Sequence, residues 1–162
     1  MIMIGEIRDT ETAEIAIQAA LTGHLVLSTL HTNDSAGAVT RLVDMGLAPY
    51  KIAAAFVGAI AQRLVRSICP ECRTLYNPTK SLFDELNYTG DRERQFVRGE
   101  GCQNCFDTGF RGRTGLYEVL VGSRELRELI AENPRVDIIR DWLTEQGGTT
   151  LLVEGIRALK KG

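Results

Sequence analysis

Cys69 and Cys72 stand in C-P-E-C, and Cys102 and Cys105 in C-Q-N-C. A C-x-x-C turn presents two thiolates from one loop, and two such turns complete the tetrahedral shell preferred by Zn²⁺. A closed shell of four cysteines leaves no position for water or substrate, so such a zinc ion is structural. Its binding energy becomes folding energy for a segment too polar to fold by apolar burial. Free thiols, a redox-active C-x-x-C and lost metal binding are the competing readings. A second group lies near the start of the chain: Glu6, Arg8, His24, His31 and Asn33 flank two apolar runs. Glutamate can hold a proton or orient water, histidine can accept on one side of its ring and donate on the other, and arginine's planar fork suits phosphate.

The elements that must position these groups follow from the pattern. The apolar runs at residues 1–4 and 24–30, joined by a helix-like stretch, read as parallel strands with a crossover helix. In open α/β sheets ligands bind at the strand ends, which is where these polar groups gather. The second run is apolar on both faces, as in a central strand covered on two sides. Asp9 or Thr10 is placed to cap the crossover helix, whose residues 13–21 are apolar on nearly every face, and Gly23 to end it. Such a helix is expected to be buried against a sheet or a neighbouring subunit. Asn33 or Asp34 caps a helix running to Met45. Pro49 opens another, in which Ile52, Phe56, Ile60 and Leu64 recur every four residues as one core-facing stripe.

Between the cysteine pairs lies a polar segment of roughly 30 residues, read as a small metal-held insertion. Its stretch DRERQFVRGEG is too charged to form a core by itself. Gly109, Gly112 and Gly115 mark tight turns, and residues 114–121 read as a strand returning to the main body. Ser123 caps a helix over residues 124–133 that Pro134 stops. Residues 136–146 form another, with Ile138, Ile139, Trp142 and Leu143 inward. A last amphipathic helix over residues 151–161 turns Leu152, Ile156 and Leu159 to one side.

Composition narrows the function classes. An apolar share of 44% and a charged share of 25% are ordinary for a globular chain. The net charge of −2 and a pI near 5.7 argue against a nucleic-acid binder. No apolar run reaches the ~20 residues of a membrane-spanning helix, and residues 1–4 lack the basic lead of a signal peptide. Intact C-x-x-C pairs without a secretion signal fit a reducing compartment.

The segment GEIRD followed by TGHLVLSTLHTN resembles the Walker B segment and histidine box of the type II secretion and type IV pilus assembly ATPases. The likeness continues through AQRLVRSICPEC, the second cysteine pair and GFRGRTGLYEVL, and thins after Val121. The cysteine pairs favour the secretion and pilus-assembly branch over the retraction branch. The resemblance implies the C-terminal part of a RecA-like P-loop core, with an inserted zinc subdomain and C-terminal helices. Residues 1–67 would be the core half, 68–113 the zinc subdomain, and 114–162 the returning strand and helical subdomain. It implies Glu6 as the Walker B acid, and His31 as a second catalytic group that senses the γ-phosphate or links subunits. Arg8, His24 and Thr29 would contact nucleotide. His24, and the strand hydroxyls of Ser28 and Thr29, have structural readings beside these. Arg63, Arg111 and Arg113 also fall in motif positions, but no arginine finger is assigned among them.

No glycine here precedes Lys-Ser or Lys-Thr, so the P-loop pattern is missing. The chain therefore looks like a C-terminal fragment, expected not to hydrolyse ATP alone. Its parent is expected to be a cytoplasmic homohexamer using ATP and Mg²⁺, held at the inner membrane by platform proteins. A zinc-stabilised interaction module without catalysis is the alternative.

Overall fold

The computed structural model describes residues 1–133 and 135–161. In chain order the elements are β1 (Ile2–Met3), α1 (Thr10–Leu21), β2 (Val26–Leu27), α2 (Ser35–Asp44), α3 (Pro49–Ala55), β3 (Gly58–Ile68), β4 (Arg73–Tyr76), α4 (Lys80–Glu85), β5 (Phe96–Gly99), β6 (Phe110–Val121), α5 (Arg124–Ala131), α6 (Val136–Glu145) and α7 (Leu151–Lys161). Contacts divide them into two units. The first holds Met1–Gln62 and Tyr117–Leu151; the second holds Arg63–Leu116 with α7 from Leu152 onward. The sequence suggested three consecutive segments. In the structure α5 and α6 join the strands and helices of the opening 62 residues, because their apolar sides share one core.

In the first unit β1 and β2 pair in parallel, with Ile2 opposite Val26 and Met3 opposite Leu27. Asp9 caps α1 by accepting from Thr12 N, and Asp34 caps α2 by accepting from Gly37 N. Ile52 of α3, Leu120 of β6, Leu126 and Ile130 of α5, and Ile139 of α6 are fully enclosed in the core. Ile4 and Val26 pack against it from the sheet. The opposite sheet face, with Met3, Leu25 and Leu27, is exposed rather than covered on two sides. On α1 only Ala13 and Ala16 are buried, and Ile15 stands out from the surface.

The helix expected beyond Pro49 is shorter than the stripe suggested. It ends at Ala55; Phe56 is already extended, and β3 begins at Gly58. A spacing of four residues is compatible with one face of a helix and also with one face of a strand, whose period is two. Pairing with β6 decides between them. Gly58 is needed there, since a Cβ would lie 2.8 Å from the Leu120 carbonyl oxygen. Ala61 faces inward, while Ile60 and Leu64 are exposed.

Strand β6 starts at Phe110, four residues earlier than expected, so Gly112 and Gly115 lie inside it. Gly112 keeps a positive φ of 82° within the strand. Helix α5 ends at Ala131, and the stop assigned to Pro134 lies outside the described residues. Ile138 is exposed, not inward; on α7, Leu152 and Leu159 are exposed as well.

In the second unit β4 and β5 are antiparallel, with Tyr76 opposite Phe96. Phe96 emerges from the charged stretch to join Phe83 and Tyr88 in a small aromatic core, with Ile156 of α7 against it. The Phe83 and Tyr88 rings stack at 5.2 Å between centroids. The segment between the cysteine pairs thus has apolar packing of its own.

Truncating Ile52, which is fully buried, to alanine is expected to cost about 2–5 kcal/mol. The same change at Ile60, 70% exposed, is expected to stay within about 0.5 kcal/mol. Denaturant unfolding of the two variants checks this. Equal losses would restore the continuous helix.

Candidate functional site

The parallel ladder is regular for two steps: Ile2 N donates to Leu25 O and Ile4 N to Leu27 O, both at 2.9 Å. A regular step would next bring the amide of residue 6 to Thr29. Instead Ile7 N donates to Thr29 O at 3.0 Å. One extra residue is accommodated around Gly5 and Glu6, as in a β-bulge, which re-aims a side chain at a strand end. Thr29 Oγ1 closes this bulge by donating to Gly5 O at 2.7 Å.

Glu6 is turned into a cluster by that irregularity. Its Oε2 accepts from Arg8 Nε and lies 2.6 Å from a terminal guanidinium nitrogen of the same residue. Its Oε1 sits 2.8 Å from His31 Nε2. That oxygen is enclosed, and the imidazole is close to it without the alignment of a hydrogen bond. The Glu6 side chain is 18% exposed, beneath an Arg8 that is 76% and a His31 that is 88% exposed. The Arg8 hydrogen bond holds the Glu6 carboxyl below the usual glutamate range. Partial desolvation opposes this and is outweighed, with the Arg8 charge and the field of His31 adding to the lowering. A carboxylate kept ionised and partly exposed is equipped to orient a water or a hydrated cation more than to take up a proton.

Glu6, Arg8, Thr29 and His31 are thus brought together, and His24 is not. Its Nδ1 lies 3.3 Å from Thr22 Oγ1, where the chain enters β2. An extended chain from there to Thr29 covers roughly 15 Å or more. Asn33 is exposed in the loop that leads to the α2 cap. Arg63, Arg111 and Arg113 belong to the second unit, where Arg66 covers the Phe110 ring at 3.9 Å. Glu118, a buried acid of β6, was not singled out from the sequence. Its two-residue spacing from the core residue Leu120 on the same strand was the available signal.

The cysteines form a second cluster. Cys69, Cys72, Cys102 and Cys105 place their four sulfurs within 4.8 Å of one another. Cys69 and Cys102 are 3.9 Å apart, as are Cys72 and Cys105, while Cys102 and Cys105 are 3.7 Å apart. A tetrahedron with metal–sulfur bonds of about 2.3 Å has an edge of about 3.8 Å, so the residues fit a single tetrahedral metal ion. These are free thiols, far from S–S bonding distance. The main chain before and after the turn Gln103–Cys105 aims N–H groups at Cys105 Sγ, from Cys102 at 3.2 Å and from Gly109 at 3.3 Å.

The thiols differ in acidity. Burial would raise Cys105, but the N–H donors from Cys102 and Gly109 and the neighbouring thiols prevail and bring it down to about 7. Burial pushes Cys72 up to about 12, and it also raises Cys102. Without a cation, the cluster favours one thiolate, centred on Cys105.

A family model described as "Type II/IV secretion system protein" matches residues 1–162. The chain belongs to this family. It is 50% identical over 130 residues to the type II secretion system protein E of Pseudomonas aeruginosa, a match covering 80% of this chain and 26% of that one. It is 42% identical over 164 residues to the type IV pilus assembly ATPase TfpB of Acinetobacter baylyi, covering 100% of this chain and 28% of that one. The crystal structure of the pilus retraction motor PilT with bound ADP superposes with a TM-score of 0.64 at 25% identity, covering 99% of this chain and 35% of that one. The chain therefore spans about a quarter to a third of these proteins' length. The expected fold is the one found: a mixed α/β portion of the RecA-like secretion ATPase fold with a four-cysteine cluster. Among the described residues no helix is long and apolar enough to cross a membrane.

In this secretion-family chain, Arg8→Gln is expected to raise the Glu6 titration midpoint, read by carboxyl ¹³C NMR. The lowered value means that the ion pair stabilises the fold above the ordinary glutamate range and fades as pH falls through the depressed value. An unmoved midpoint would take Arg8 out of that role. For the cysteines, Co²⁺ is expected to bind with a tetrahedral thiolate spectrum that Cys72→Ser removes. Its affinity should weaken as pH drops, most steeply below about 7, where Cys105 also carries a proton.

Proposed function

We propose that this segment is the C-terminal portion of a hexameric cytoplasmic ATPase that couples ATP hydrolysis to type II protein secretion or type IV pilus assembly. The observation that carries the reading is the Glu6–Arg8–His31 cluster at the edge of a parallel strand pair, in a chain of the secretion family. In this reading Glu6 orients or polarises the attacking water near the γ-phosphate, a role that needs an ionised carboxylate. Arg8 keeps it ionised, and His31 senses the phosphate from the adjoining strand. Thr29 secures the bulge that aims Glu6. His24 contacts nucleotide only through a rearrangement, since it stands at the other end of β2. Mg²⁺ supplies charge neutralisation for the phosphates when nucleotide is bound.

Cys69, Cys72, Cys102 and Cys105 would hold a structural Zn²⁺, supported by sulfur separations that match a tetrahedral shell. Functionally, residues 1–67 serve as core half, 68–113 as zinc subdomain and 114–162 as returning strand and helical subdomain. The zinc subdomain passes motion to inner-membrane platform proteins, which hold the hexamer at the membrane surface. For the 162-residue polypeptide by itself, the missing G-K-[ST] motif favours a second reading, a zinc-stabilised interaction module without turnover.

In a protein that carries this segment together with its P-loop, Glu6→Gln is expected to cut ATP turnover by about 10²-fold or more while ATP binding persists. Turnover and nucleotide affinity, measured on one preparation, check it. Unimpaired turnover would remove Glu6 from the chemistry.

A further inference from the structure

A buried carboxyl group that the proposed reaction leaves unused is Glu118 of β6, only 4% exposed. Its Oε1 accepts from Ser35 N at 2.9 Å and from Ser35 Oγ at 2.5 Å. Its Oε2 accepts from Leu151 N at 3.1 Å. Ser35 is the first residue of α2 and Leu151 the first of α7. One carboxylate thus meets the N-terminal ends of two helices, where unpaired amides and the positive end of the helix dipole stabilise negative charge.

The same end of α2 is held a second way. Asp34 accepts from Gly37 N at 2.8 Å and is ion-paired with Arg140 of α6 at 2.6 Å. The loop of residues 31–33 is therefore anchored on both sides. Upstream, Thr29 binds the bulge through its carbonyl and its hydroxyl. Downstream, Asp34 and Ser35 are fixed by Arg140 and Glu118. His31, whose ring lies against Glu6, is carried between these anchors.

We propose that Glu118 is a positioning residue for the Glu6–His31 pair. It sets the start of α2, and through the 31–33 loop the place of the His31 imidazole, while Leu151 N holds its other oxygen. The role in turnover rests on the reading of Glu6 and His31 given above; the positioning itself does not.

The chain contains two histidines, so imidazole ¹H–¹³C NMR of the whole chain separates His31 from an internal reference, His24. Glu118→Gln and the milder Ser35→Ala are expected to shift the His31 ring signals and leave those of His24 in place. Ser123→Ala, which removes the cap of α5, lowers stability without touching either and should move neither. Unshifted His31 signals in the folded Ser35→Ala and Glu118→Gln proteins overturn the proposal, as does an equal shift in Ser123→Ala. Should Glu118→Gln not fold, Ser35→Ala decides alone. A His31 shift together with undiminished turnover of Glu6→Gln in the P-loop-bearing protein upholds the positioning and removes the catalytic reading.

Discussion

A carboxylate buried without a cationic partner costs several kcal/mol unless donors replace its water. Glu118 meets that requirement with the amide and hydroxyl of Ser35 and the amide of Leu151. It brings β6 to the beginning of α2 and to the beginning of α7, and the fully buried Leu120 lies on the same strand. An apolar residue in this place would leave amides at two helix starts without partners. Shortening the acid would break more than one bond, because a single group serves both.

The carboxylates of Glu6 and Glu118 work differently. Glu118 is enclosed, and donors surround it on both oxygens. Glu6 is partly open, and only one of its oxygens has aligned donors. The difference separates a structural acid from one with capacity to spare. A guanidinium beside it keeps Glu6 charged, and the bulge at Gly5 and Glu6 takes it out of the regular alternation of the strand. Polar chemistry is thereby placed where the ladder is interrupted, and the intact hydrogen bonds on either side hold the interruption in place.

The two units are also held by different means. The first has a continuous apolar core to which β2, β3, β6 and the helices α1 to α3, α5 and α6 contribute. The second has a small aromatic cluster and four convergent sulfurs. A cluster of three buried aromatic rings is a small core for a segment so rich in charge. A metal bound at the sulfurs would add the cross-links that apolar burial does not supply there.

The sequence by itself determined the local features of this protein. Asp9, Asp34 and Ser123 act as caps because a short side-chain oxygen before an amphipathic run meets free amides whatever the surroundings. The convergence of four sulfurs was legible from two C-x-x-C turns, and the placement of Glu6 and His31 at strand ends from two apolar runs. Tertiary structure decided what depends on a distant partner. The run from Phe56 to Leu64 fits a helix or a strand by spacing, and only β6 makes it a strand. Phe96 joins a core because Phe83 and Tyr88 come to meet it. His24 and His31 bracket one apolar run in the sequence, and the parallel register leaves His31 beside Glu6 and His24 at the other end. Glu118 stayed hidden for the same reason. A glutamate in a strand signals exposure until the two helix starts that bury and satisfy it are brought together, and the residues that supply those donors are far away in the chain.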